Sequence, residues 1–237
     1  MGRGMILPVL ALLAATPARA MEEDGTFHRV DVELDGTRTA GASLFTWEGA
    51  AWIGGDRDKA WFRTEGEIRG GETEQAEIWA LLSRAIGYSG NIADSFWDAQ
   101  FGLRQDFEPE PTSQAVIGIE GMAPYFIETG AHVFLSDEGD VSARITQSLD
   151  LPLTQRLIAE PHIELNLSAQ DNEARQTGAG LSDIEAGLQL RYEITRKFAP
   201  YAGINYERAI GETAGLRRAE GEQAGDLTLR LGVRFWF

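Results

Sequence analysis

From Leu227 to Phe237 the chain alternates without a break: Leu227, Leu229, Leu231, Val233, Phe235 and Phe237 against Thr228, Arg230, Gly232, Arg234 and Trp236. Successive side chains of a strand point to opposite faces, so this segment predicts a strand with one apolar and one polar face. The same period runs backward along the chain. Ile184, Ala186, Leu188, Leu190, Tyr192 and Ile194 alternate with Asp183, Glu185, Gln189, Arg191 and Glu193. Leu157, Ala159, Ile163, Leu165 and Leu167 alternate with Glu160, His162, Glu164, Asn166 and Ser168, while Trp97, Ala99, Phe101 and Leu103 alternate with Asp98, Gln100, Gly102 and Arg104. Pro161 falls on the outward set, and because proline removes a ladder hydrogen bond a bulge is expected there.

Runs of this kind predict twelve strands, over residues 26–36, 42–53, 58–69, 74–87, 96–107, 113–123, 125–136, 140–151, 154–170, 180–195, 197–210 and 225–237. An apolar face of this type fits either the core of a soluble sandwich or the lipid-facing wall of an outer-membrane barrel. The terminal aromatic Phe237 favours the barrel, whose apolar band ends in an aromatic girdle. No run reaches the roughly twenty apolar residues that a transmembrane helix needs, so a membrane crossing requires a closed barrel. The expected fold is therefore all-β: a transmembrane, antiparallel, up-and-down barrel of about 12 strands, of outer-membrane type. With both termini periplasmic, the polar segments Asp171 to Ala179 and Gly211 to Ala224 become outer loops. Gly54 to Arg57, Ala123-Pro124 and Thr195-Arg196 become short inner turns, and Gly87 to Ser95 is an unusually long inner connection.

The N-terminus carries a matching address. Met1-Gly2-Arg3 is basic, Met5 to Ala15 is apolar, and Ala18-Arg19-Ala20 is a small-x-small cleavage site, so residues 1–20 read as a secretory signal and 21–237 as the barrel domain. The chain has 37 acidic against 21 basic residues, for a net charge of −16, and no cysteine. Thiolate ligands and disulfides are thereby excluded, and nucleic acid lacks the basic surface it requires. Cations and outer-membrane lipid are the expected partners.

Several words along the chain carry a further signal. Asp98 to Asp106, Gly118 to Phe126, Leu153 to Ile158, Gly180 to Leu188, Leu190 to Ile194, Lys197 to Gly203 and Gly232 to Phe237, taken in order over almost the whole mature chain, resemble the copper-resistance protein B family. The resemblance implies an outer-membrane barrel that binds copper ions and takes part in copper tolerance, alongside periplasmic copper oxidases and efflux components. Many members carry a Met- and His-rich extension before the barrel, suited to copper. Here only a few residues, Met21 among them, stand between Ala20 and the first strand, in which His28 is a second possible ligand, so the barrel itself is expected to do the work.

Taking the apolar faces as outward, His132 and His162 both face the lumen, on strands separated by one other, so their Cβ atoms should lie roughly 10 Å apart at equal height. One ion cannot then bind both directly. The candidate copper ligands are His132, His162, Glu128, Glu160 and Glu164, a nitrogen and oxygen set acceptable to Cu(II). Against this stands the ordinary role of inward charges, which pair across narrow lumens and brace the wall; Arg104, Arg144, Arg156 and Arg191 are available for it. Met122 stands alone and reads as packing.

Two other classes of function remain open at this level. A barrel lipase or protease would need a group such as His162 with Ser168 or Asp183, but no elbow motif surrounds a serine. A narrow cation-selective pore lined by carboxylates is the other, since twelve strands leave little free space compared with general porins.

Overall fold

The computed structural model describes residues 25–39, 42–86, 97–172, 175–219, 221 and 223–237. The proposed signal, the segment 21–24 and the whole of the expected long inner connection lie outside the described residues.

Among the described residues alternation produces thirteen strands: β1 (Phe27–Thr39), β2 (Ala42–Gly54), β3 (Asp58–Arg69), β4 (Glu72–Ile86), β5 (Trp97–Glu108), β6 (Thr112–Ala123), β7 (Ile127–Ser136), β8 (Val141–Ser148), β9 (Leu151–Pro152), β10 (Leu157–Ser168), β11 (Gly180–Tyr192), β12 (Phe198–Ala209) and β13 (Gly225–Trp236). Each strand pairs antiparallel with its neighbours, and β1 pairs with β13, for example Glu33 with Arg234, which closes the ring. β8 and the two-residue β9 both pair with β10 and form one staggered wall element, so the barrel has twelve staves. Closure joins the first stave to the last, so that among the described residues only the two-residue β9 keeps a single partner; a closed ring is the condition for crossing a membrane with strands.

The expected bulge at Pro161 is not found. Pro161 keeps its register opposite Leu188, and the irregularity on β10 lies instead between Asn166 and Leu167. Toward β8 and β9 the Leu149 N–H donates to the Pro161 carbonyl at 3.2 Å, but proline has no N–H with which to return the bond. The result is a two-residue gap between β8 and β9 rather than an inserted residue.

The outer surface is apolar. Leu103 is 66% exposed, Ile117 66% and Leu231 69%, and Phe62, Leu82, Phe101 and Leu229 accompany them on the same outward parity. The interior is divided. Trp79, Leu81, Val116 and Phe134 form a buried apolar cluster inside the lumen against the β4 to β7 wall, with Trp61 packed on it. Charged and amide side chains occupy much of the rest.

The mouth opposite the chain termini is covered. The segment after β10 folds inward: Gln170 and Asn172 donate to the two carboxylate oxygens of Asp140, each at 2.7 Å. Arg175 reaches across to Asp106 at 3.2 Å and also bonds Thr112. The loop after β12 contains a helix, α1 (Gly211–Ala219), which alternation alone reads only as a polar segment. Glu212 in its first turn and Arg217 and Arg218 in its last complement the helix dipole. Thr213 accepts the Gly178 N–H at 2.9 Å and ties α1 to the strap before β11.

Candidate functional site

His132 and His162 both face the lumen, but they occupy different settings. His132 on β7 is 4% exposed. Its Nε2 lies 2.8 Å from Gln100 Oε1, and its ring meets Trp79 edge-on at 5.4 Å between centroids. Gln100 in turn donates to Glu120 at 2.7 Å, and Glu120 is paired with Arg63. This is a fully engaged core histidine.

His162 on β10 is more open, with about a third of its side chain (34%) accessible. Its Nε2 lies 3.3 Å from Asn205 Oδ1 and 3.8 Å from Glu185 Oε1, and Asn205 Nδ2 donates to the same Glu185 oxygen at 2.8 Å. Each member comes from a different stave, β10, β11 and β12. The register explains the meeting: His162 is opposite Gly187, and Gly187 is opposite Asn205. A glycine at the middle of the row lets the imidazole lie over the β11 backbone and approach Asn205.

The five residues proposed from sequence therefore separate. His132 shares a row with Arg144 and Asn166, whereas His162 is four residues along β10 from Asn166, adding roughly 13 Å at about 3.3 Å per residue to the separation across the wall. Glu128 shares a row with Ser148 and His162 but stands two staves away, exposed at the start of β7. Glu160 is paired with Arg191 and, at 3.3 Å, with Arg234. Glu164 lies 3.3 Å from Arg144 and accepts from Asn166 at 2.8 Å. No group of three or more His, Asp or Glu among the described residues is arranged to hold a metal by itself.

Glu185 belongs to the inward set that alternation identifies; Asn205 is the partner that alternation misses. The signal that points to it is Gly187, an inward glycine in mid-strand. Its meaning depends on the register across two hairpins, which no local pattern supplies. The alternative hydrolase group is not assembled: Ser168 donates to the Gln170 carbonyl at 2.6 Å, and Asp183 accepts from Asn166 at 2.8 Å.

A family model described as "Copper resistance protein B precursor (CopB)" matches residues 27–237, the whole described barrel. The chain belongs to the copper resistance protein B family. Copper resistance protein B of Escherichia coli is 39% identical over 206 residues, 86% of this chain and 67% of the relative. The copper resistance protein B homolog of Pseudomonas syringae pv. tomato is 41% identical over 196 residues, 82% of this chain and 64% of the relative. The chain thus spans about two thirds of the length of these copper resistance proteins. A NanC porin structure, 13% identical, superposes with a TM-score of 0.55 over 87% of this chain and 98% of that one, a likeness of fold alone. A family barrel with an apolar outer wall is an outer-membrane protein.

Proposed function

We propose that this outer-membrane barrel takes part in copper tolerance by holding copper ions in its lumen at His162, with Glu185 and Asn205 beside it. The observation that carries the reading is the meeting of imidazole nitrogen, carboxylate oxygen and amide oxygen within 3.8 Å, on the one inward histidine with an accessible ring. That donor set suits Cu(II), which takes nitrogen and oxygen ligands, better than Cu(I), which prefers sulfur. Met122 is the single methionine among the described residues, and it stands opposite Glu128, away from His162.

Of the residues proposed from sequence, His162 is retained as the principal ligand. Glu160 and Glu164 serve as a charged surround, already engaged by arginines. His132 is assigned to packing, and Glu128 to the rim, where it would attract cations. Excess negative charge draws metal ions toward the mouth, and a periplasmic copper oxidase or efflux component would exchange copper with the barrel at that end.

Electron paramagnetic resonance of the refolded barrel with added Cu(II) tests this. Imidazole nitrogen coupling should be present in the wild type and in His132→Ala and absent in His162→Ala. Equal spectra in the wild type and His162→Ala would overturn the assignment.

A further inference from the structure

Five neighbouring staves place carboxylates directly opposite one another in register: Glu33 with Glu48, Glu48 with Glu65, Glu65 with Glu77, and Glu77 with Asp106. All face the lumen, about 4.8 Å apart from stave to stave. Like charges directly opposite are destabilising, so a row of five calls for compensation. The row also rises. It begins beside Arg234, two residues from the end of β13 at the chain-terminal mouth, and ends at Asp106, two residues from the opposite end of β5.

Arginines compensate most of the row. Glu33 pairs with Arg234 at 3.0 Å, Asp106 with Arg104 at 2.6 Å, and Glu77 with Arg104 at 2.5 Å. Glu48 is exposed and makes no ion pair within 4 Å among the described residues. The middle of the row is occupied by a side chain from across the barrel. Arg144 on β8, five staves round from β3, contacts Glu65 at 2.5 Å, Glu77 at 3.4 Å and Glu164 at 3.3 Å. Its guanidinium also stands 5.6 Å from the centre of the Trp79 ring.

We propose that Arg144 is a tethered plug in a cation path, its guanidinium filling a seat of three carboxylates that a free cation would otherwise pass through. Two observations and one property of arginine support the assignment. The seat is built from three separate staves, β3, β4 and β10, and Arg144 contacts all three carboxylates, sharing Glu77 with Arg104. Accessible space lies on both sides of it: Glu48 is open below, and above lies a polar cavity of about 230 Å³ between Arg144, Arg104 and the Arg175 strap. An arginine does not lose its charge at any ordinary pH, so the plug repels mobile cations permanently while it stays seated.

The proposal concerns passage and is independent of copper affinity at His162; a barrel without that affinity would still show it. Conductance of the refolded full chain in planar bilayers in KCl tests it. The chain contains no cysteine, so Arg144→Cys introduces a sole thiol. The wild type should conduct poorly. Arg144→Cys should conduct several-fold more, with a reversal potential in a KCl gradient that reports preference for K⁺ over Cl⁻. A positively charged methanethiosulfonate reagent should return the conductance toward the wild-type level, and a negatively charged one should not. If Arg144→Cys fails to give heat-modifiable, folded barrel, Arg144→Gln, which keeps length and a hydrogen-bonding end, answers the same question. A wild type already as conductive as the variants, a variant no more conductive than the wild type, or a variant selective for Cl⁻ would each overturn the proposal.

Discussion

His162 lies over Gly187, its register partner on β11, so closely that a Cβ added to the glycine would stand 2.3 Å from the ring's Cε1 and 2.8 Å from Asn205 Oδ1. Gly187→Ala should therefore displace the imidazole without removing any ligand. Supporting residues of metal ligands typically change affinity about 10–100-fold, and a loss of that order is expected in calorimetric Cu(II) titration of the folded barrel. Unchanged affinity would show that the ring's seat on β11 does not matter to binding.

His132 has the opposite profile. It is buried, hydrogen-bonded to Gln100 and packed on Trp79, so His132→Ala should leave copper stoichiometry as it is and weaken the fold. Leaving the Gln100 carbonyl oxygen without its partner costs about 1–3 kcal/mol, and the cavity adds to that. Urea unfolding in lipid vesicles measures it; a neutral effect on stability together with lost copper would reverse the two histidines' roles.

Trp79 is the hub of the lumen's apolar side. Its indole N–H donates to Glu77 at 2.6 Å, its ring meets Phe134 edge-on at 5.1 Å, and the guanidiniums of Arg63, Arg104 and Arg144 gather within 6 Å of it. Trp79→Ala should cost about 3–5 kcal/mol, the range for deleting a large buried aromatic. The readout is a lower temperature for the heat-modifiable gel shift, and Trp79→Phe should recover part of the loss. A wild-type transition in Trp79→Ala would remove the residue from this role.

Asp140 gives the pH dependence of the outer cap. The hydrogen bonds from Gln170 and then Asn172 hold its carboxyl below the ordinary aspartate value. A carboxylate depressed in the folded state contributes stability that is complete above its unfolded value, about 3.9, and is lost as pH falls through the lower folded value. The clasp between Asp140 and the strap should thus persist at pH 4 and release only in stronger acid. Carboxyl NMR titration of the barrel in micelles should place the Asp140 midpoint below that of an exposed aspartate, and Gln170→Ala should raise it. A midpoint at or above the ordinary value would contradict the clasp.

The resemblance carried by words such as Asp98 to Asp106 and Gly232 to Phe237 led to the family that the match over residues 27–237 shows. Within the barrel, strand number and facing were legible because they are local: an unbroken two-residue period needs no knowledge of the partner strand. Leu229 and Leu231 point outward, and Glu164 and His162 point inward, as their parity requires. The inward apolar cluster was less legible. Trp79, Leu81 and Val116 carry the lumen-facing parity yet resemble lipid-facing residues in composition, and only their burial against one another identifies the side they occupy. Helix α1 was also hidden, since nine residues containing Gly211 and Gly215 have weak intrinsic helix preference and are held by contacts such as Gly178 with Thr213.

By itself the sequence determined an outer-membrane barrel of twelve staves, with the faces that meet lipid and lumen, because alternation and hydrophobicity act along a single strand. Tertiary structure alone decided that His162 meets Asn205 and Glu185, that His132 is walled in by Trp79, and that Arg144 reaches Glu65 across the lumen. Those meetings depend on the stagger between strands and on ring closure from β13 to β1, and stagger is a relation between segments far apart in the chain.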